Sequence, residues 1–326
     1  MEPGVPNAQA INNSAIYAQG VSKQFNGDFA VQGLTIQIPR GIIFGFIGPS
    51  GSGKTTTIRL LTGIYTPSEG VVYVLGRDPK HSNAKLRERI GYMPQLFVLY
   101  PDLTVVENLN FAASLYGLSI FHRGRLINSL LDFVELDKDR HKLARQISGG
   151  MQRRLSLAAT LIHNPELIFL DEPTAGIDPI LRKKFWDHFR QLQASGRTLF
   201  VTTQYVGEAA YCDYVGVLAN GKLLMVDTPV GLRHRAYGGE VVDLQTREQI
   251  PYDKVFSLQS LPFITNRIRI IGDRALRITV DQANTAIPDI MNWCTQNGLT
   301  VDSINEYLPP FDDVFVQVVQ AEAAHG

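Results

Sequence analysis

The run Gly48-Pro49-Ser50-Gly51-Ser52-Gly53-Lys54-Thr55 constrains this chain more than any other feature, because it has the spacing of a phosphate-binding loop at every fixed position. An apolar segment of strand length, residues 42–47, precedes it, and a helical pattern over 54–63, opened by Thr55 and Thr56, follows it. Glycines let the backbone curl so that several N–H groups aim at one anion, and the helix N-terminus adds positive potential. In such a loop Lys54 reaches the β- and γ-phosphates of a nucleotide, and the Thr55 hydroxyl is a ligand for Mg²⁺. A glycine-rich turn that binds nothing has no need of lysine, hydroxyl, strand and helix together.

A second constellation lies downstream. Leu167-Ile168-Phe169-Leu170-Asp171-Glu172 reads as a buried strand ending in two acids. Ligands of parallel α/β sheets gather at that edge. Asp171 is expected to hold Mg²⁺ through water, and Glu172 to polarise the water that attacks the γ-phosphate. An apolar strand ending in two acids is common as plain structure, so this assignment leans on the upstream loop.

The fold class follows from the pattern around these motifs. Strand-like stretches at 15–21, 30–38 and 42–47 lead into the loop, and residues 80–165 become mainly helical. Thr104-Val105-Val106-Glu107 forms a capping box for a helix ending near Gly117, and a second helix is expected over 124–135. Strand–helix alternation resumes at Leu167. Asp178-Pro179 caps a helix to about Ala194, 198–203 and 214–218 read as strands, and Asn220-Gly221 as a hairpin turn. The expectation is an α/β domain over 15–238 with a largely parallel sheet and a helical subdomain inserted at about 95–165. Residues 1–14 read as a mobile tail. Past Tyr237-Gly238-Gly239 the character changes, and 239–326 reads as a small α+β domain.

Composition narrows the classes. Lys plus Arg and Asp plus Glu number 31 each, so the formal net charge is zero, which argues against a protein built to coat nucleic acid. Cys212 and Cys294 have no metal-ligand spacing around them. Met1-Glu2-Pro3-Gly4 lacks the basic stretch and apolar core of a secretory signal. No apolar run approaches the roughly 20 residues of a membrane-spanning helix.

Ile147-Ser148-Gly149-Gly150-Met151-Gln152-Arg153-Arg154, just upstream of the acidic strand, resembles the Leu-Ser-Gly-Gly-Gln signature of ABC ATPases, with Ile for Leu and Met for the final Gln. The order of phosphate loop, signature and acidic strand is that of the family. The resemblance implies a P-loop ATPase fold, ATP and Mg²⁺ as ligands, and two copies packed head to tail. Each ATP would then lie between one copy's loop and the other's Ser148, Gly149 and Gly150. It also implies that Gln95, in Tyr92-Met93-Pro94-Gln95, senses Mg²⁺ and the γ-phosphate. Asp178, in Ala175-Gly176-Ile177-Asp178, would cross the dimer seam, and Phe25, 23 residues before Gly48, would stack on adenine. Phe25 serves equally as an ordinary core phenylalanine. One departure stands out: the family's histidine after the strand 198–203 is replaced by Gln204, whose amide donates a hydrogen bond but carries no charge.

Thr202-Thr203-Gln204-Tyr205, together with Leu99-Tyr100-Pro101-Asp102-Leu103-Thr104 and the closing Pro310-Phe311-Asp312-Asp313-Val314-Phe315, is similar to the daunorubicin-resistance type of bacterial drug exporters. That branch implies a prokaryotic subunit at the cytoplasmic face of the membrane. It would drive a separate multi-span permease as a homodimer or beside a related subunit, without nucleic acid. The permease would rest on the region 95–108, where Leu96, Phe97, Val98 and Leu99 suit a partner groove or, equally, a core. Three alternatives stay open: a non-transport ABC ATPase, a slow-hydrolysing regulatory module marked by Gln204, and an importer subunit.

Overall fold

The computed structural model describes residues 8–81, 84–96, 98–266 and 268–325. The chain divides into two compact units, Met1–Val226 and Asp227–Gly326.

The first unit runs α1 (Ala8–Asn13), β1 (Ser14–Phe25), β2 (Asp28–Pro39), β3 (Ile43–Ile47), α2 (Lys54–Leu61), β4 (Glu69–Val74), α3 (Ala84–Arg87) and β5 (Ile90–Met93). It continues α4 (Val105–Leu115), α5 (Ile120–Phe133), α6 (Gly149–Leu161), β6 (Leu167–Asp171), α7 (Pro179–Ala194), β7 (Thr198–Thr203), β8 (Tyr214–Ala219) and β9 (Lys222–Asp227). Two sheets form. One is antiparallel with order β2-β1-β4, and the other is six-stranded with order β5-β6-β7-β3-β8-β9. In the larger sheet β5 through β8 pair in parallel. β3, β6 and β7 are buried at every position, which is why each has an apolar centre rather than an alternating pattern. Asn220 and Gly221, both at positive φ, make the two-residue turn from β8 to β9.

The core between the two sheets is aromatic and aliphatic. Phe200 stacks on Phe44 at 5.6 Å and lies 5.3 Å from Phe46, among Ile16, Ile38 and Ile58. Truncating one of these rings to alanine costs about 3–5 kcal/mol. This packing fixes β3, β6 and β7 relative to one another. Their carboxyl ends come level, with Ile47 opposite Thr203 and Asp171 opposite Thr202.

The second unit runs α8 (Pro229–Tyr237), β10 (Glu240–Thr246), α9 (Tyr252–Gln259), β11 (Arg269–Gly272), β12 (Ala275–Val280), α10 (Ala283–Gln296), β13 (Val301–Tyr307) and α11 (Phe311–His325). Its antiparallel sheet has order β11-β12-β10-β13 and encloses its own core around Ile278, Ile290 and Cys294.

Several boundaries differ from the sequence reading. Of the expected tail, residues 1–7 lie outside the described residues, while Ala8–Asn13 is helical and Ser14 already belongs to β1, its hydroxyl donating to the Ala10 carbonyl at 2.6 Å. The units part at Val226–Asp227 rather than after Gly238. The reason is α8, which Thr228 caps by accepting from the Gly231 N–H and which packs against α11 and β10. Strands β4 and β5 were not read from the sequence, and α5 begins at Ile120 rather than near Gly124.

Candidate functional site

The loop 48–53 connects β3 to α2 and lies at the carboxyl edge of the parallel sheet. Gly53 sits at φ 105°, and a Cβ there would lie 2.4 Å from the Ala30 carbonyl oxygen, so both conformation and space demand glycine. Gly53 also heads α2 without any side-chain cap, which leaves the first N–H groups of that helix for an anion.

Lys54 is buried at 4% exposure and turned back on its own loop, donating to the Gly48 carbonyl at 2.9 Å and to the Pro49 carbonyl at 3.0 Å. Its Nζ also lies 3.3 Å from Glu172 Oε1. The other oxygen of Glu172 accepts from Gln95 Nε2 at 2.8 Å. One carboxylate thus ties together the head of α2 and the segments that follow β5 and β6. Glu172 itself has φ 49°, a left-handed conformation uncommon outside glycine and a feature that clusters at functional sites.

Asp171, one residue earlier, faces Thr55. The Thr55 hydroxyl donates to Asp171 Oδ1 at 3.2 Å, and the Thr202 hydroxyl donates to the same oxygen at 2.7 Å while accepting from the Glu172 N–H at 3.0 Å. Burial pushes the Asp171 carboxyl above the ordinary range, against the opposing pull of the Thr202 and Thr55 hydrogen bonds. Its Oδ2 is buried and has no hydrogen-bond partner. An unpartnered carboxylate oxygen beside a threonine hydroxyl is a fitting pair of hard donors for Mg²⁺. Among the described residues no group of three or more His, Cys, Asp or Glu is placed to hold a metal.

Gln204 follows β7, and Ser50 Oγ donates to its Oε1 at 3.0 Å. That bond turns the amide so that Nε2 is the end left to donate. Lys54, Thr55, Gln95, Asp171 and Glu172, linked through Thr202 and the carbonyls of Gly48 and Pro49, form one contact network, and the Ser50–Gln204 pair adjoins it through the loop backbone.

The other sequence-predicted residues stand outside it. Ser148 caps α6, accepting from the Met151 N–H at 3.3 Å. Asp178 caps α7 through one oxygen that accepts from the Ile180 and Leu181 N–H groups, both at 3.0 Å. A Cβ on Gly150 would fall 2.5 Å from Leu181 Cδ2, whereas one on Gly149 would meet nothing within 4 Å. Packing inside the chain leaves little room for a side chain at the second glycine and ample room at the first. Phe25 is 42% exposed and meets Tyr65 edge-on at 5.4 Å, with Lys23 Nζ 5.3 Å from its ring centre, so it is no core phenylalanine.

Sequence reasoning missed two residues of the site. Thr202 joins both acids, and Arg153, buried in α6, donates to the Gln95 carbonyl at 2.8 Å and to the Ala175 carbonyl at 3.2 Å. Neither contact leaves a trace in local spacing, since each joins elements far apart in the chain.

Comparison with known proteins identifies the family. Residues 31–175 match the profile of the ABC transporter family. The Nod factor export ATP-binding protein I of Rhizobium sp. (strain N33) is 33% identical over 310 residues, covering 94% of this chain and 98% of that protein. The chain belongs to the ATP-binding proteins of ABC transporters. This ABC chain is also 39% identical over 237 residues to the probable multidrug ABC transporter ATP-binding protein YbhF of Escherichia coli (strain K12). That match takes in 72% of the chain but spans only 41% of the relative's length. Among solved structures, a dimeric ATP-binding cassette in a post-hydrolysis state, bound to ADP and Pi, superposes with a TM-score of 0.60 at 26% identity. The superposition covers 65% of this chain and 98% of the other. Among the described residues no helix is long and apolar enough to cross a membrane.

Proposed function

We propose that this ABC chain binds and hydrolyses Mg–ATP as one of a pair of subunits, and that the pair drives a separate membrane permease that exports a drug, lipid or other hydrophobic compound. The observation that carries the hydrolytic reading is the bridge from Glu172 to both Lys54 and Gln95. That bridge supports the reading of Glu172 as the carboxylate that accepts a proton from water once Lys54 turns to a phosphate. Lys54, the loop amides and the start of α2 hold the β- and γ-phosphates, and Phe25 offers its exposed ring to the adenine. Thr55, Asp171 and Gln95 hold Mg²⁺, which when bound neutralises charge developing on the phosphate oxygens. Gln204 donates its amide to the γ-phosphate. Ser148, Gly149 and Gly150 serve the nucleotide of the opposite copy, and Asp178 lies at the seam.

Phosphate release by the purified chain tests this directly. Glu172→Gln should lower turnover by about a hundredfold or more, the usual contribution of a general base, while nucleotide binding persists. Equal turnover in both proteins would remove Glu172 from the role. The slow-hydrolysing reading is favoured by Gln204 alone. A large gain in Gln204→His would support it, and parity would support a working engine.

The export reading draws on the names of the relatives and on the sequence similarity to the daunorubicin-resistance branch. Leu96 and Val98 are 81% and 75% exposed, Leu99 is half-buried, and Phe97 lies outside the described residues. Exposed apolar residues at this place suit a permease helix better than a core. Leu96→Glu with Val98→Glu should abolish co-purification with a multi-span membrane protein and leave ATP affinity within about twofold, since a charge in an apolar contact is costly. Retention of the same membrane partner by this variant would move the docking surface elsewhere.

A further inference from the structure

Gln204 is joined to the Asp178 turn by a side chain to which neither motif draws attention. Arg182, on α7, directs its guanidinium at three groups. Its Nη2 donates to the Ile177 carbonyl at 3.4 Å, its Cζ lies 4.1 Å from the centre of the Tyr205 ring, and its Nε is 3.5 Å from Glu208 Oε1. Tyr205 directly follows Gln204, and its carbonyl accepts from the Glu208 N–H at 3.0 Å while its own N–H donates to Thr203 Oγ1 at 3.0 Å. Glu208 is 2% exposed, and neither of its carboxylate oxygens has a hydrogen bond.

We propose that Arg182 is a positioning residue for hydrolysis, coupling the Asp178 turn to Gln204 through its stack on Tyr205 and its ion pair with Glu208. This rests on the reading of Gln204 and Asp178 given under the proposed function. A buried carboxylate is costly unless it is paired and hydrogen-bonded, and the pair with Arg182 is only half made. Drawing Arg182 toward Glu208 by less than about one ångström converts it into a charge-assisted hydrogen bond. The same movement carries Tyr205, stacked on the guanidinium, and with it the backbone of Gln204. The Ser50 bond already holds the amide with Nε2 free to donate, so the guanidinium sets where that donor stands. Arginine can stack and pair at once because its cation is planar, which lysine's is not.

The test is a double-mutant cycle on the full chain. It measures kcat and KM for phosphate release and, separately, the Kd of a fluorescent ATP analogue. Arg182→Lys keeps the charge and loses the plane, and Glu208→Gln keeps the volume and loses the charge. Both avoid the stranded carboxylate that Arg182→Ala would leave, and either alone suffices for the cycle. Each should lower kcat by about tenfold, the scale of a coupling change of this kind, with Kd within about twofold. In a Gln204→Ala background neither should lower kcat further, because the residue it positions is gone. An unchanged kcat in the single variants, or the same fold-loss in the Gln204→Ala background, overturns the proposal while the Gln204 reading stands. If Gln204→Ala alone leaves kcat at the parental value, the Gln204 reading fails and the inference falls with it.

Discussion

Gly149 and Gly150 are chemically identical neighbours in different surroundings. Leu181 of α7 occupies the space beside Gly150, while the space beside Gly149 is open. Gly150→Ala therefore forces Leu181 into another rotamer, at about 1 kcal/mol or a melting temperature lower by about 2–4 °C. Gly149→Ala should leave melting unchanged, because nothing in the chain opposes a methyl there. If the first signature glycine serves a nucleotide brought by a second copy, Gly149→Ala will still reduce ATP-dependent dimerisation measured by light scattering. Undiminished dimerisation would give that glycine no role at the seam. The motif was plain in the sequence, but the different reasons for its two glycines were not, because those depend on α7, which follows the motif at a distance. Lys54 and Thr55 were legible from the spacing of the loop, and Asp171 and Glu172 from the apolar strand that they end. Thr202 and Arg153 were not, since parallel strand register and helix packing leave no local signature.

The helices around the insert carry two histidines whose surroundings favour the neutral imidazole. His163, just past α6, stacks on Tyr116 at 3.7 Å, and its Nε2 is 2.9 Å from the Ile90 carbonyl, so Nε2 bears the proton while buried Nδ1 has no hydrogen-bond partner. His188 of α7 packs on Phe133 of α5 at 4.5 Å. Burial holds both below the ordinary imidazole range. For His163 the Ile90 hydrogen bond opposes it. For His188, Glu135 and Asp187 oppose it, and Arg154 and Lys184 add to it. A folded-state pKa below the unfolded one gives stability that is present above the unfolded value, about 6.5, and lost as pH falls through the folded one. Melting temperature should accordingly drop between about pH 7 and pH 5, and the drop should be smaller in His163→Gln/His188→Gln. An identical slope in that variant would assign the acid sensitivity to the carboxylates. At this scale α4, with its Thr104–Glu107 capping box, and α7, with its Asp178-Pro179 start, were readable, because caps are local chemistry. Strands β4 and β5 were not. β4 is exposed over its first three positions, and β5 has only four residues in a stretch otherwise dominated by helices.

Every residue of the contact network lies in the first unit, and the second unit has a sheet and core of its own. A chain ending at Val226 should therefore bind a fluorescent ATP analogue within about twofold of the parent, as expected of independent domains. A tenfold or greater loss would make the second unit part of the nucleotide site. The boundary was misjudged from the sequence because the Gly238-Gly239 pair looks like a linker. It follows α8 instead, with Gly238 in the left-handed conformation that closes a helix. The pairing of Lys54 with Glu172 has a consequence for the molecule at rest. The lysine of the loop is already satisfied, and the would-be base is pinned by the same bond, so an idle molecule is poor bait for small anions. Free phosphate or sulphate must break that bond while offering little in return. A triphosphate repays the exchange across the loop and the head of α2, and in unseating the lysine it releases the carboxylate, so that arrival of the fuel is itself the safety catch coming off.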